Sequence, residues 1–213
     1  MELNLAAQLL LIGLDEQGEP HPAAAALDYG LAGAALIDLA RLGRVAVAAG
    51  SVTVTGRAPT GDPTLDHALR ALPDDGLGNE EAINRLREGL RQATVEPLVA
   101  GGVLRREKHR LLWVIPDERF PAAGGVQAAL RDRLAGALDG EAVLDTSTAA
   151  LLSLVRSTGL EEAAFPGRPK PAVRARIEAC TSGTQWADGG TRAAVDEVQA
   201  ALLAVLTVVF LAG

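Results

Sequence analysis

Arg87 and Arg91 are the residues whose type and spacing best suit chemistry with an anion. They lie four apart in a stretch, 79–96, that the pattern predicts as helix, so both side chains would share one face. Each guanidinium presents a planar fork of N–H donors that matches the oxygens of a phosphate. The same two side chains could instead pair with Glu88, Glu96 or a neighbouring helix. A second feature is the apolar run Leu111-Leu112-Trp113-Val114-Ile115, flanked by Arg105, Arg106, Lys108 and Arg110. A half-solvated strand should alternate between apolar and polar residues, and this one does not. An apolar tip ringed by cations can enter an anionic membrane, with Trp at the level of the headgroups. Burial on both faces, or a contact between copies of the chain, would explain the same run.

Residues for catalysis are sparse. His21, His67 and His109 lie far apart and show no metal-ligand spacing. No glycine-rich loop joins a strand to a helix in a dinucleotide or phosphate-loop pattern, and no serine has a nucleophile-elbow context. Asp62 and Asp66 lie four apart and could share a helix face as an acid–base or cation-binding pair. Asp62, however, sits between Gly61 and Pro63, where a carboxylate caps a helix and proline occupies the first helical turn. No catalytic set and no cofactor are expected.

The elements that would position these residues are mostly helical. Residues 3–12 form an amphipathic helix. Residues 22–42 follow as helix, with a break expected at Gly30-Leu31-Ala32-Gly33 because paired glycines weaken a helix. Residues 44–47 and 52–55 alternate and are rich in β-branched types, a hairpin signal. Helices are expected at 63–72 and 79–96, a second hairpin from 103–106 and 110–115, and helices at 122–137, 146–157, 170–180 and 190–211. Asp145 and Asp188 are expected caps, with Gly140, Gly159 and Gly167 as stops. The expected fold class is mainly α, a single compact helical domain over 1–213 with two short β-hairpins.

Composition narrows the function. The net charge of −7 argues against nucleic-acid binding. Residues 82–115 run against that balance, with seven cations and three carboxylates, a net +4 that leaves −11 for the rest. An acidic chain with one basic stretch has a candidate anion-facing surface. Cys180 is alone, so no internal disulfide forms and a reducing compartment is expected. Glu2 follows Met1, and no basic segment precedes the leucines, so the start does not look like a leader. The apolar stretch from Ala200 to Gly213 is shorter than the roughly 20 residues a bilayer span needs, and is expected to be a buried terminal helix.

An ordered series of short segments resembles the Golgi phosphoprotein 3 family. Leu9-Leu10-Leu11-Ile12-Gly13-Leu14 is similar to the family's leucine-rich opening helix. Gly30-Leu31-Ala32-Gly33, Leu36-Ile37-Asp38-Leu39-Ala40 and Gly43-Arg44-Val45 follow in the family's order. Then come Ala58-Pro59-Thr60-Gly61-Asp62, Gly102-Val103-Leu104 and the apolar run after it. No one segment is specific; the order, from about residue 3 to 165, is.

The resemblance implies a mostly helical fold and a non-enzymatic peripheral membrane adaptor that binds phosphatidylinositol 4-phosphate. Of the family's headgroup positions, the Trp falls at Ala23, one Arg at Ala32, and the two helix Arg at Glu88 and Arg91, with Arg87 one residue before Glu88. Only Arg91 matches. The four hairpin positions, Leu111, Leu112, Trp113 and Val114, remain apolar. The implied partners are an anionic, phosphoinositide-like membrane surface and basic protein segments, with a homo-oligomer also open; the implied location is cytoplasmic and peripheral to a membrane. The missing eukaryotic extension and the composition point to a bacterial relative. The alternative is a soluble protein-interaction module that self-associates through the apolar hairpin.

Overall fold

A computed structural model describes residues 3–111, 115–182 and 189–211. The fold is mainly α, as expected. Helix α1 (Leu5–Gly13) is buried along its whole length, and its start is fastened twice. The Asn4 side chain accepts from the Ala7 amide at 2.7 Å, and Asp38 accepts from the Leu5 amide at 2.7 Å. Both bonds satisfy donors that the first turn of a helix cannot pair internally.

Helix α2 (Leu27–Arg41) is the central element, packed against α1 and against α4, α6 and α9 introduced below. It runs unbroken through Gly30 and Gly33, against the expected break. The glycines mark close approaches instead. A Cβ on Gly30 would come within 2.6 Å of Thr158 and 2.8 Å of Leu9, and one on Gly33 within 2.9 Å of Val198. Neighbouring helices pack so near that only hydrogen fits, and their burial outweighs the roughly 1 kcal/mol that glycine costs in a helix.

Strands β1 (Val45–Ala48) and β2 (Ser51–Val54) form the first expected hairpin, in antiparallel register from Val45–Val54 to Ala48–Ser51. A two-residue β3 (Leu77–Gly78) joins β2 and was not foreseen. Helix α3 (Pro63–Ala71) opens on Asp62, whose Oδ1 accepts from the Thr64 and Leu65 amides at 2.8 and 3.1 Å. The capping reading of Asp62 is therefore the structural one. Helix α4 (Asn79–Ala100) breaks at Glu88 and Gly89. Pro97 lies inside it and cannot donate to the Ala93 carbonyl, which accepts from the Thr64 hydroxyl at 3.2 Å instead, tying α3 to α4.

Strands β4 (Glu107–Leu111) and β5 (Ile115–Arg119) follow, then helices α5 (Val126–Asp139), α6 (Thr146–Thr158), the short α7 (Glu161–Ala164), α8 (Lys170–Thr181) and α9 (Gly189–Leu211). Asp145 caps α6, and Gly140 and Gly159 end α5 and α6. Asp188 lies outside the described residues. Helix α9 corrects one expectation. Its Val198, Leu202, Val205 and Leu206 are buried, but Leu203, Val208 and Leu211 are 68, 66 and 83% exposed, so its C-terminal part is buried along one face only. Among the described residues, no helix is long and apolar enough to cross a membrane.

Candidate functional site

The sequence places Arg87 and Arg91 on one face of a continuous helix; the structure separates them by a break. Glu88 has an extended ψ of 115°, and Gly89 takes a left-handed φ of 78°. Such a φ suits glycine and disfavours residues with a Cβ. The break ends the first half of α4 at Arg87 and starts the second near Leu90, so helical spacing no longer sets where the two guanidiniums go.

Tertiary packing brings them together by another route, onto the first turn of α2. Arg91 donates from Nε to Oδ1 of Asp28 at 2.6 Å. The Arg87 guanidinium carbon lies 5.0 Å from the centre of the Tyr29 ring, within cation–π range. Arg87 Nε is buried and makes no hydrogen bond within the described chain. Asp28 and Tyr29 were not singled out from the sequence. The Arg91–Asp28 pair spans 63 residues, and no local pattern signals such a contact. Of the other positions the resemblance marks, Ala32 is fully buried within α2, Ala23 is half-buried in the turn before it, and Glu88 is exposed at the break.

The basic stretch 82–115 is divided among several elements. Arg85 donates to the Ala71 carbonyl at the end of α3 at 2.7 Å. Arg106 meets Glu96 at 2.5 Å and Glu118 at 3.8 Å, and its guanidinium lies 5.7 Å from the Phe120 ring centre. Arg105 lies 3.8 Å from Glu107. Lys108 is exposed. Carboxylates from outside the stretch, Asp28 and Glu118, thus meet only Arg91 and Arg106 among the described residues, and the described cations are spread over several elements rather than gathered in one cluster.

The second hairpin lies later in the chain than 103–106 and 110–115. β4 and β5 pair from Glu107–Arg119 to Leu111–Ile115. Val103 and Leu104 belong to its root instead, where Leu104 bridges to Ala122 and Arg105 donates to the Pro121 carbonyl. Arg119 pairs with Glu19 at 2.7 Å, and the Phe120 amide donates to Gly18, which ties the root to the loop after α1. Among the described residues, β4 and β5 pack chiefly on each other, and no helix lies along them. The apolar run therefore begins and ends at the last pair of the ladder rather than along a strand. Leu112, Trp113 and Val114 lie outside the described residues, as do the side chains of His109, Arg110 and Leu111.

Asp62 and Asp66 do not form a shared carboxylate site. Asp62 caps α3 and accepts from Asn4 Nδ2 at 2.7 Å. Asp66 accepts from the Thr60 amide at 2.7 Å and its hydroxyl at 2.8 Å, closing the 58–62 turn. These bonds, the amide first, hold the Asp66 carboxyl below its ordinary pKa of 3.8. The His21 ring accepts from the Ala23 amide at 3.1 Å, and His67 faces Gly89. No group of three or more potential metal ligands is found among the described residues.

No curated protein matches the chain. A sequence model of Golgi phosphoprotein 3 (GPP34) matches residues 5–198, from the first residue of α1 well into α9. That span holds the helical scaffold, the Asp62-capped turn, the broken α4 and the β4–β5 ribbon, and this chain belongs to the Golgi phosphoprotein 3 family.

Proposed function

We propose that this protein is a non-enzymatic adaptor that docks peripherally on the cytoplasmic face of an anionic membrane. The observation that carries the reading is the β4–β5 ribbon. Its ladder ends at Leu111–Ile115, the limits of a five-residue apolar run, and no helix lies along it among the described residues. Residues 111–114 touch the bilayer, and Trp113 favours the headgroup boundary. Membership of the Golgi phosphoprotein 3 family supports the adaptor role.

Arg87 and Arg91 are the headgroup contacts in this reading. Their setting favours low lipid specificity. Arg91 shares its Nε–H with Asp28, Ala32 supplies no charge, and Glu88 repels a phosphate. In this reading the acidic remainder of the chain meets basic protein segments.

The test is co-sedimentation of the full chain with phosphatidylcholine vesicles, with and without phosphatidylserine, at low and physiological salt. Retention that needs phosphatidylserine, weakens with salt and is lost in Leu112→Ser/Trp113→Ser supports the proposal. Absence of retention at low salt overturns it. A fall in solution mass on the same double substitution, without vesicles, identifies the apolar run as a self-association contact instead.

A further inference from the structure

The exposed leucines of α9 form one wall of a cleft whose opposite rim is cationic. The cleft, about 540 Å³, lies between the approach to α2, the end of α6, the start of α8 and the C-terminal part of α9. That volume falls inside the range of about 300–1,000 Å³ common for small-molecule sites. The exposed Leu203 and Leu211, with the buried Leu206 between them, supply the apolar wall, and Arg156, Lys170 and Arg174 line the other side. Among the described residues, no acidic residue lines the cleft.

The charges on the rim are only partly met. Glu161, with a fully buried side chain, lies 2.7 Å from Arg174 Nε and 3.5 Å from Lys170 Nζ. Lys170 also donates to the Gly159 carbonyl at 3.4 Å, which covers the end of α6. Arg156 is 3.7 Å from the exposed Glu178. Among the described residues, three cations thus face two carboxylates, and a positive charge remains beside the exposed Leu203 and Leu211. A free anion would satisfy the rim and leave the leucines wet. A neutral apolar molecule would cover the leucines and leave the rim unmet. A molecule with an anionic head and one alkyl chain satisfies both.

We propose that this cleft binds a dispersed single-chain anionic amphiphile, its head on Arg156, Lys170 and Arg174 and its chain along Leu203, Leu206 and Leu211. The inference uses none of the residues of the β4–β5 ribbon or the Arg87–Arg91 site, so it stands or falls separately from the membrane reading.

The probe is dodecyl phosphate, titrated calorimetrically into the full chain below its micelle concentration at neutral pH. Inorganic phosphate and dodecyl maltoside, also below its micelle concentration, are the comparisons. Saturable binding of dodecyl phosphate at one site, with both comparisons at least about tenfold weaker, is expected. Arg156→Ala removes a rim charge, and Ala25→Trp, at an exposed lining position, fills the cleft. Each should weaken dodecyl phosphate by about tenfold while leaving the thermal unfolding midpoint unchanged. Lys170 and Arg174 are kept, because they hold the buried Glu161. Absence of saturable binding, equal binding of either comparison, binding seen only with vesicles, or binding indifferent to both substitutions would overturn the proposal.

Discussion

The Nε–H of Arg91 points at Oδ1 of Asp28, 2.6 Å away in the first turn of α2, so this candidate headgroup contact already has an anionic partner within the fold. A lipid phosphate would compete with Asp28 for it. Asp28→Ala should therefore raise retention on phosphatidylserine vesicles a few-fold at low salt. Both side chains are more than a third exposed, so the change should cost less than about 1 kcal/mol of stability. Co-sedimentation of Asp28→Ala, Arg91→Ala and the double variant decides the point. Equal retention of all three would remove Arg91 from the membrane contact.

Gly89→Ala tests the break in α4. A Cβ there would meet nothing nearer than His67 Nε2 at 3.7 Å, so space is not the obstacle. The left-handed φ of 78° is. The substitution should lower stability by about 1 kcal/mol in urea unfolding, and Gly89→Asn by less, because Asn tolerates this region better. An unchanged or raised midpoint for Gly89→Ala would mean that α4 runs straight at little cost.

Two aspartates should shift stability with pH in opposite directions. The Thr60 amide and hydroxyl depress the pKa of Asp66, so its contribution is present above its ordinary 3.8 and is lost as pH falls through the lower, folded value. Burial raises the pKa of Asp38, against the Leu5 amide and Arg41 that pull it down. Its contribution is present below 3.8 and is lost as pH rises through the raised value. Relative to the parent, Asp38→Asn should gain stability as pH rises from the ordinary 3.8 through the raised folded value, and Asp66→Asn should lose it as pH rises through the lowered folded value to 3.8. Parallel pH profiles for the parent and either variant would contradict that assignment.

Arg174→Ala should be among the more damaging changes at a half-exposed position. It removes the 2.7 Å partner of Glu161, whose side chain is fully buried, and leaves that carboxylate with Lys170 at 3.5 Å. Breaking a buried pair on one side costs about 3–5 kcal/mol; with Lys170 still present and Arg174 half in solvent, about 2 kcal/mol is expected. Adding Glu161→Gln to Arg174→Ala should restore part of the loss. Chemical denaturation of the single and double variants measures both effects.

Much of the architecture was legible because it rests on local chemistry. The Gly61-Asp62-Pro63 start of α3, the β1–β2 hairpin and the caps at Asp145, Gly140 and Gly159 each depend on a few adjacent residues, and each is where the pattern put it. The short β3 escaped because two residues carry no period, and it exists only as an addition to β2. The break expected at Gly30–Gly33 occurs instead at Gly89. Both are glycines in helical sequence, and a helical pattern does not say whether a missing Cβ serves a turn or a close contact.

The candidate site divides in the same way. By itself, the sequence determined the mainly helical fold, the ordered segments of the family, the apolar run 111–115 and the presence of Arg87 and Arg91, because these follow from residue type and near-neighbour spacing. Only the tertiary structure decided that Arg87 lies over Tyr29, that Arg91 is held by Asp28, and that the basic stretch is shared among α2, α3 and the hairpin root. It also decided that Leu203 and Leu211, at the apolar end of α9, face the cleft lined by Arg156, Lys170 and Arg174 while Leu202 and Val205 face the core. The reason is physical. A long charged side chain goes to whichever partner packing brings within about 3 Å, and that partner is set by how helices cross, not by the residues beside it in the chain.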